Sequence, residues 1–433
     1  MSQVKLMKDE WGDGPHEADY YLPDSWDVTV YHIAGYQRPV MTQAQIKDAL
    51  NHPLGSPCIS ELARGKKKVC ILFDDVTRGT PVYQVIPHVL AELKEAGIQD
   101  KAIEFICALG AHQAWDRSLL AKKIGEDVMA KYPVYNHFPF MNCTSLGKTS
   151  FGTKVEISSE VMSCDLKISI GGISPHPQYG FSGGAKMIMP GVSSYDSMYE
   201  HHGVTHQAWF EAGRGAGGRM GSYDGNPMPA DALEFARMAE LDFSISCLLS
   251  EKSEIVGIFA GEVEASDKEG VEAAKKHYVV SPARDNDISI SNAVCKAAEA
   301  YIASLSAWFT IKHDNGTAVT LANSHAGQVA HYLQGSWGKS FGGRNLRTQP
   351  VPPWVAHHVF YSEFPEARNW DRWAEKDHCR ILLPSNWAEV IAKLIEWHGL
   401  KAKVAVFPDG TNQYLQQPER KDTPTRSEER LKV

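Results

Sequence analysis

Short runs of consecutive apolar residues recur along the chain, separated by stretches in which apolar positions return every three or four residues. Lys68-Val-Cys-Ile-Leu-Phe-Asp74 is the first clear run, and its unbroken hydrophobicity predicts a strand buried on both faces. Val82 to Glu95 follows with helical periodicity and stops at Ala96-Gly97, a C-cap signal. Ala102 to Leu109 predicts a second strand and Leu166 to Ile170 a third, each running into glycine, at Gly110 and at Gly171-Gly172. This alternation of strand, glycine-bearing loop and helix predicts an α/β fold with largely parallel sheets. Ligands of such sheets bind beyond the carboxyl ends of the strands. The loops opening at Asp74, Gly110 and Gly171 are therefore expected at one functional edge.

A second unit begins near Pro282. Asp287–Ser291 and Ala318–Ala322 predict strands, with a helix over Ala297–Phe309 between them. The segment 335–370, rich in Gly, Trp, Pro and Arg, reads as long loops over a cleft. Ile381–Pro384, a helix over Trp387–His398 and Val404–Pro408 restore the α/β order. The expected organisation is an N-terminal α/β unit over 1–280 and a second α/β unit over 281–394, with the active site in the cleft between them. Residues 395–415 are expected to pack back on the first unit, and 416–433, charged and without aromatics, to form a mobile tail.

Composition narrows the function classes. The 433 residues are 43% hydrophobic and 22% charged, which is enough apolar material for sizeable cores. A formal charge of -8 gives no general reason to bind nucleic acid or an anionic membrane. No apolar stretch approaches the ~18 residues that span a bilayer, and the start lacks the apolar core of a signal peptide. The eight cysteines are scattered singly, without a CxxC pair, which speaks against a zinc ribbon or a thioredoxin-like couple. A reduced, cytoplasmic protein is expected.

Candidate chemistry is densest in Ser174-Pro-His-Pro-Gln-Tyr-Gly-Phe-Ser-Gly-Gly-Ala-Lys-Met-Ile-Met-Pro-Gly191. Gly180, Gly183 and Gly184 let a backbone pass close to a ligand, and Lys186 follows directly. A P-loop is excluded. Ala185 stands where its last glycine belongs, Met187 replaces the magnesium-holding Ser or Thr, and Pro190 interrupts the helix it requires. His202 and His206 are spaced i, i+4, as a shared metal requires on a helix, although ordinary surface histidines fit the same spacing. His112 and His176 fall on predicted strand-end loops. In Asp74-Asp75-Val-Thr77-Arg78-Gly-Thr80-Pro81, Arg78 offers a fork for a carboxylate or phosphate, while the neighbouring polar residues also suit a helix cap.

Four segments carry a family resemblance: Asp-Asp-Val-Thr-Arg-Gly-Thr-Pro (74–81), Leu-Gly-Ala-His-Gln (109–113), Gly-Phe-Ser-Gly-Gly-Ala-Lys-Met-Ile-Met-Pro-Gly (180–191) and His201-His202. In order and spacing they resemble the lactate racemase family. The resemblance is strong over residues 70–205 and weaker in the second unit, where Phe407-Pro-Asp-Gly410 is also similar.

The resemblance implies a racemase or epimerase of 2-hydroxyacids that uses a nickel-pincer nucleotide, a nickel ion held by carbon and two sulfurs of a modified pyridinium mononucleotide. It implies that Lys186 tethers this cofactor through a thioamide and that His202 is the protein ligand to nickel. His112 and His176 become the general bases on the two sides of the substrate, and Arg78 the grip on its carboxylate. Asp75 and Thr77 shape the site, and the backbone of Gly180, Gly183 and Gly184 lies near the cofactor. Enzymes that build and load the cofactor are the implied partners. The implied reaction moves a hydride from C2 to the cofactor through a 2-oxoacid.

The sequence also departs from the family. Gly79 stands where proline is frequent and Gln113 where arginine commonly follows the histidine. In the second unit the family engages substrate with a Gln and a Lys. Here the region reads Ser291 to Glu299, with Lys296 as the candidate substrate contact and an exposed helix lysine as the plain alternative. Trp337, Trp354, His357, His358 and Trp370 suggest a pocket wall for a substrate larger than lactate, such as a sugar acid, malate or an aryl-lactate. The rival readings are a zinc hydrolase built on His202 and His206, and a non-catalytic protein that binds the same nucleotide.

Overall fold

Apolar runs from both halves of the chain assemble into two six-stranded sheets. The computed structural model describes residues 1–8, 11, 16–206, 220–333, 351–364 and 381–416. The sheet strands are β1 (Asp27–Val30), β2 (Val69–Asp74), β3 (Ile103–Ala108), β4 (Val134–Asn136), β5 (Leu166–Gly172), β6 (Phe243–Leu249), β7 (Ile255–Gly261), β8 (Ile288–Asn292), β9 (Gly316–Leu321), β10 (Val355–Tyr361), β11 (Ile381–Leu382) and β12 (Lys403–Phe407). The first sheet has the order β7-β6-β5-β2-β3-β4 and is parallel except for the β6–β7 pair. The second, β11-β10-β9-β8-β12-β1, is parallel throughout.

Every residue of β2 is buried, because apolar side chains leave the strand on both faces. Ile71 and Phe73 join a core with Ile86, Val89 and Leu93, which form the apolar stripe of helix Ile86–Glu95. Cys70 and Leu72 point the other way, into a core with Met228, Ala232, Phe235 and Ala236 of helix Pro227–Met238. The second sheet is covered likewise. Helix Trp387–His398 brings Val390 and Leu394 to one core, and helix Tyr301–Trp308 brings Ile302, Leu305 and Trp308 to another.

From β2 the chain moves to β3 and β4 on one side, then returns through β5 to the other. This reversal makes a topological switch point between β2 and β5, where a crevice opens at the carboxyl ends of an α/β sheet. Register brings Asp74 opposite Ala108, and Phe73 opposite Ile170, so the loops after β2, β3 and β5 emerge together as expected.

Some expectations change. Within 395–415, Lys403–Phe407 is an inner strand of the second sheet, paired with β8 and β1, while Tyr414–Leu415 pairs with Val279–Val280 of the first unit. The unbroken apolar run Val404–Phe407 suits an inner parallel strand, but its neighbours are set by tertiary structure. Part of the supposed loop 335–370 is a strand, β10, although 334–350 lies outside the described residues. His357 stacks on Trp397 with ring centroids 3.9 Å apart, and buried His358 lies 3.2 Å from Thr320 Oγ1. Trp354 donates to the Trp308 carbonyl at 2.9 Å. These three side chains pack on the second sheet and its helices, while Trp337 and Trp370 lie outside the described residues. The tail 417–433 does too. Among the described residues no helix is long and apolar enough to cross a membrane, and seven cysteines are free thiols.

Candidate active site

The crevice at the switch point is a cavity of about 110 Å³ whose lining includes Asp75, Arg78, His112, His176, Lys186, His202 and Glu299. Seven ionisable side chains in so small a space must neutralise or suppress one another's charge.

The loop after β2 is held rigid first. Asp74 accepts from Thr80 Oγ1 at 2.6 Å and from the Gly172 amide at 2.9 Å, and it pairs with the fully buried Lys123 at 2.8 Å. Lys123 also donates to the Arg78 carbonyl at 2.7 Å. Asp75 then turns toward the pocket. Its Oδ1 accepts the Thr77 amide at 2.8 Å and the Thr77 hydroxyl, and its Oδ2 accepts His112 Nδ1–H at 2.7 Å. Arg78 Nη1 donates to Thr77 Oγ1 at 2.7 Å and to Glu299 Oε2 at 2.5 Å. Asp75 and Thr77 thus position His112 and Arg78.

His112 stands between two carboxylates, since its Nε2 is 3.5 Å from Glu299 Oε1. Burial disfavours its cation, but Asp75 and Glu299 outweigh burial and push its pKa up to about 9. Burial likewise works against the charge on Asp75, yet His112 and then Arg78 hold its carboxyl below the usual range. His112 is therefore an imidazolium at neutral pH and faces the pocket as a proton donor.

His176 differs. It begins a tight hairpin in which Pro175–His176 pairs with Gly180–Phe181. Its Nδ1 accepts the amides of Gln178 at 3.2 Å and Tyr179 at 3.3 Å. Burial, with Lys186 and Lys296 nearby, drives its pKa well below 6.5. The ring is neutral and carries its proton on Nε2. For His176 to act as a base, those two amides must release Nδ1.

Lys186 lies over the Tyr179 ring, its Nζ 4.1 Å from the centroid. Burial, then Arg78 and Lys296, lower its pKa well below 10.5, which favours the unprotonated, nucleophilic amine. His202 gives Nδ1–H to the Met198 carbonyl at 3.0 Å, which leaves Nε2 with its lone pair for a metal. Burial and Lys186 lower its pKa to about 3, so no proton competes at neutral pH. A buried amine nucleophile and an oriented imidazole acceptor suit the attachment of a metal-bearing group.

Gly183 lines the pocket beside Lys186, and the glycine loop is also packed tightly against protein. The amides of Gly184 and Ala185 are donated to Asp267 at 2.6 and 3.2 Å, so they are not held out for a phosphate. A Cβ on Gly184 would come 1.8 Å from Ser244 Oγ, and one on Gly180, at φ +78°, 2.4 Å from the Ser222 carbonyl. Here close packing of protein on protein requires glycine. Gly183, Ser182 and Lys186 also border a second cavity of about 480 Å³.

Lys296 is neither exposed nor in the pocket lining. Its Nζ donates to the carbonyls of Pro175 and Thr411 and to Asn412 Oδ1, at 3.0, 2.9 and 3.1 Å. It ties the residue before His176 to the loop after β12. His206 also leaves the pocket group, as its Nε2 is 2.8 Å from Asp231 Oδ2. The zinc hydrolase built on His202 and His206 therefore loses its second ligand.

Sequence reading missed Glu299 and Asp267. Glu299 lies three residues after Lys296, but only tertiary contact across 221 positions brings it to Arg78. Asp267 lies in helix Val263–His277 among several other acidic residues, with no local signal to single it out.

Residues 14–212 match the model of the lactate racemase N-terminal domain. The chain is 32% identical over 264 residues to a lactate racemase of Lactiplantibacillus plantarum, and 29% identical over 262 to one of Thermoanaerobacterium thermosaccharolyticum. Each match covers 60% of this chain and 60% of the relative's length. In fold the chain is similar to the lactate racemase apoprotein of T. thermosaccharolyticum, with TM-score 0.70, 20% identity and coverage of 96% of this chain and 100% of that one. A protein of Thermotoga maritima is also similar in fold, with TM-score 0.63, 15% identity and coverage of 92% and 100%.

Proposed function

We propose that the chain is a member of the lactate racemase family, a racemase or epimerase inverting C2 of a 2-hydroxyacid. The observation that carries the reading is the meeting of Arg78, His112, His176, Lys186 and His202 around one small cavity. Lys186 and His202 would hold the nickel-pincer nucleotide, the first through its amine and the second through Nε2. When bound, that group supplies a reversible acceptor for the C2 hydride.

The chain's own residues do the rest. Arg78 takes the substrate carboxylate, exchanging it for Glu299. The hydroxyl meets His112 on one side or His176 on the other, according to the isomer. His176, once the amides of Gln178 and Tyr179 release Nδ1, takes the hydroxyl proton of one isomer as C2 becomes a ketone carbon. The His112 imidazolium returns a proton to the oxygen as the opposite configuration forms, and the other isomer starts from the swapped protonation states. Asp75 holds the His112 ring and stabilises its cation. Removing the α-proton instead would set a second negative charge beside the carboxylate, and a pocket already holding Asp75 and Glu299 resists that.

The test is intact mass and metal content after co-expression with the enzymes that build the cofactor. A nucleotide-sized adduct and about one nickel per chain are expected, both absent in Lys186→Ala. An unmodified wild-type mass overturns the tether. Turnover of hydroxyacids in heavy water then checks the hydride route, which leaves C2 without solvent deuterium. A nucleotide-binding protein without catalysis would load normally and be indifferent to His112→Gln and His176→Gln.

A further inference from the structure

Three side chains that the pocket does not use converge in the interior. The ligand atoms of His201, His206 and Asp231 all lie within 4.8 Å of one another, on residues 0%, 3% and 0% exposed. His206 Nε2 is 2.8 Å and His201 Nε2 3.7 Å from Asp231 Oδ2. The first distance is that of a hydrogen bond, whereas the second is too long for one. Among the described residues, His201 Nε2 and Asp231 Oδ1 are buried without a hydrogen-bond partner in good geometry, although the Met228 backbone lies close to His201. Two orphaned polar atoms in one buried cluster are costly for a fold to keep.

The surroundings fix the rings. His201 stacks on Tyr179 at 5.5 Å between centroids, with its Nδ1 3.3 Å from the Tyr179 hydroxyl. With Nδ1–H given to that hydroxyl, Nε2 presents a lone pair toward the carboxylate, as a metal ligand does. Thr153 Oγ1, 2.6 Å from Asp231 Oδ2, adds a fourth possible ligand atom, an oxygen, beside the cluster.

We propose that His201, His206 and Asp231 bind a divalent metal ion of the zinc class, at a site separate from the pocket. Two imidazoles, a carboxylate and one further oxygen make a common tetrahedral zinc environment, and complete burial marks a structural site. The ion would satisfy both orphaned atoms at once. It would also fasten the π-helical turn His201–Thr205 to helix Pro227–Met238, which carries Asp231. Because His202 lies in that turn, the ion would steady it too; this consequence alone rests on the function proposed above.

The experiment uses the full chain made without the cofactor-building enzymes. Its metal content is measured as purified, and the metal-stripped protein is titrated with zinc and with cobalt, whose visible spectrum reports tetrahedral coordination. About one zinc per chain is expected, with affinity at least tenfold weaker in His206→Gln and Asp231→Asn. Binding in Lys186→Ala and His202→Ala should be unchanged, which separates this site from the cofactor site. Circular dichroism checks that each variant folds. If the variants do not fold, the wild-type titration decides. Wild-type protein without zinc that binds no stoichiometric zinc or cobalt overturns the proposal, as does binding lost in His202→Ala but kept in His206→Gln.

Discussion

Arg78 and Glu299, 221 positions apart in the chain, meet through a 2.5 Å hydrogen bond between guanidinium and carboxylate. The arginine belongs to the loop after β2 of the first sheet, and the glutamate to the 3-10 turn Ala297–Glu299 that follows β8 of the second. Glu299 thus occupies the group best suited to grip a substrate carboxylate, and its other oxygen faces His112. On the proposed function, this one residue would link carboxylate binding to the protonation of His112.

Glu299→Gln should therefore change two quantities together. A carboxylate ligand meets an arginine with no internal rival, so KM falls. His112 loses one of the charges that raise its pKa to about 9, so the limb of the kcat/KM profile set by His112 moves to lower pH. A pH–rate series on both proteins checks this, and an unmoved limb would show that Glu299 does not act on His112. Arg78→Ala should lower kcat/KM by about 10- to 100-fold, the loss of a charge-assisted pair.

The Asp75–His112 pair should make stability depend on pH. The folded pKa of His112 lies above its ordinary value of 6.5. Its contribution is therefore complete below about 6.5 and is lost as pH rises through about 9. It amounts to a few kcal/mol. Asp75, whose pKa is lowered, contributes above its ordinary range and loses that contribution in acid. Unfolding midpoints across this range should fall on the alkaline side in wild type, and much less in Asp75→Asn.

Lys186 should destabilise the folded chain while its amine is free. Its amine must shed a proton on burial, because its folded pKa is well below 10.5. The unfolded chain keeps that proton, so stability rises with pH until the free amine also deprotonates. Lys186→Met, of similar shape, should be more stable at neutral pH by roughly 1 kcal/mol, with a gap that widens in acid. Denaturant unfolding of the two chains measures it, and equal midpoints would mean the amine is already well solvated.

Gly184→Ala should destabilise by about 1–3 kcal/mol through overpacking, since its new methyl would lie 1.8 Å from Ser244 Oγ. Ser244→Gly in the same chain should restore part of that loss. A double-mutant cycle with no coupling would mean the loop relaxes away from β6.

Much was legible in the sequence because it is locally encoded. The apolar runs at 69–74, 103–108 and 166–172 became parallel strands, since unbroken hydrophobicity fits a strand covered on both faces. Helix Trp387–His398 formed at its predicted bounds, capped by Asn386 and ended by Gly399. The strand-end loops bearing Arg78, His112, His176 and Lys186 could be assigned to one edge because parallel topology leaves them no other.

What only the tertiary structure decided concerns contacts that no spacing encodes. β12 took its place between β8 and β1 of the second sheet, because strand pairing depends on neighbours distant in sequence. Asp267 took the amides of the glycine loop, and Lys296 turned from a plausible surface lysine into a buried tie. The charge states followed from those contacts. His112 and His176 look alike in sequence, yet two carboxylates protonate the first and two backbone amides with nearby cations keep the second neutral. Burial and through-space charge set a pKa, and both depend on which residues fold together.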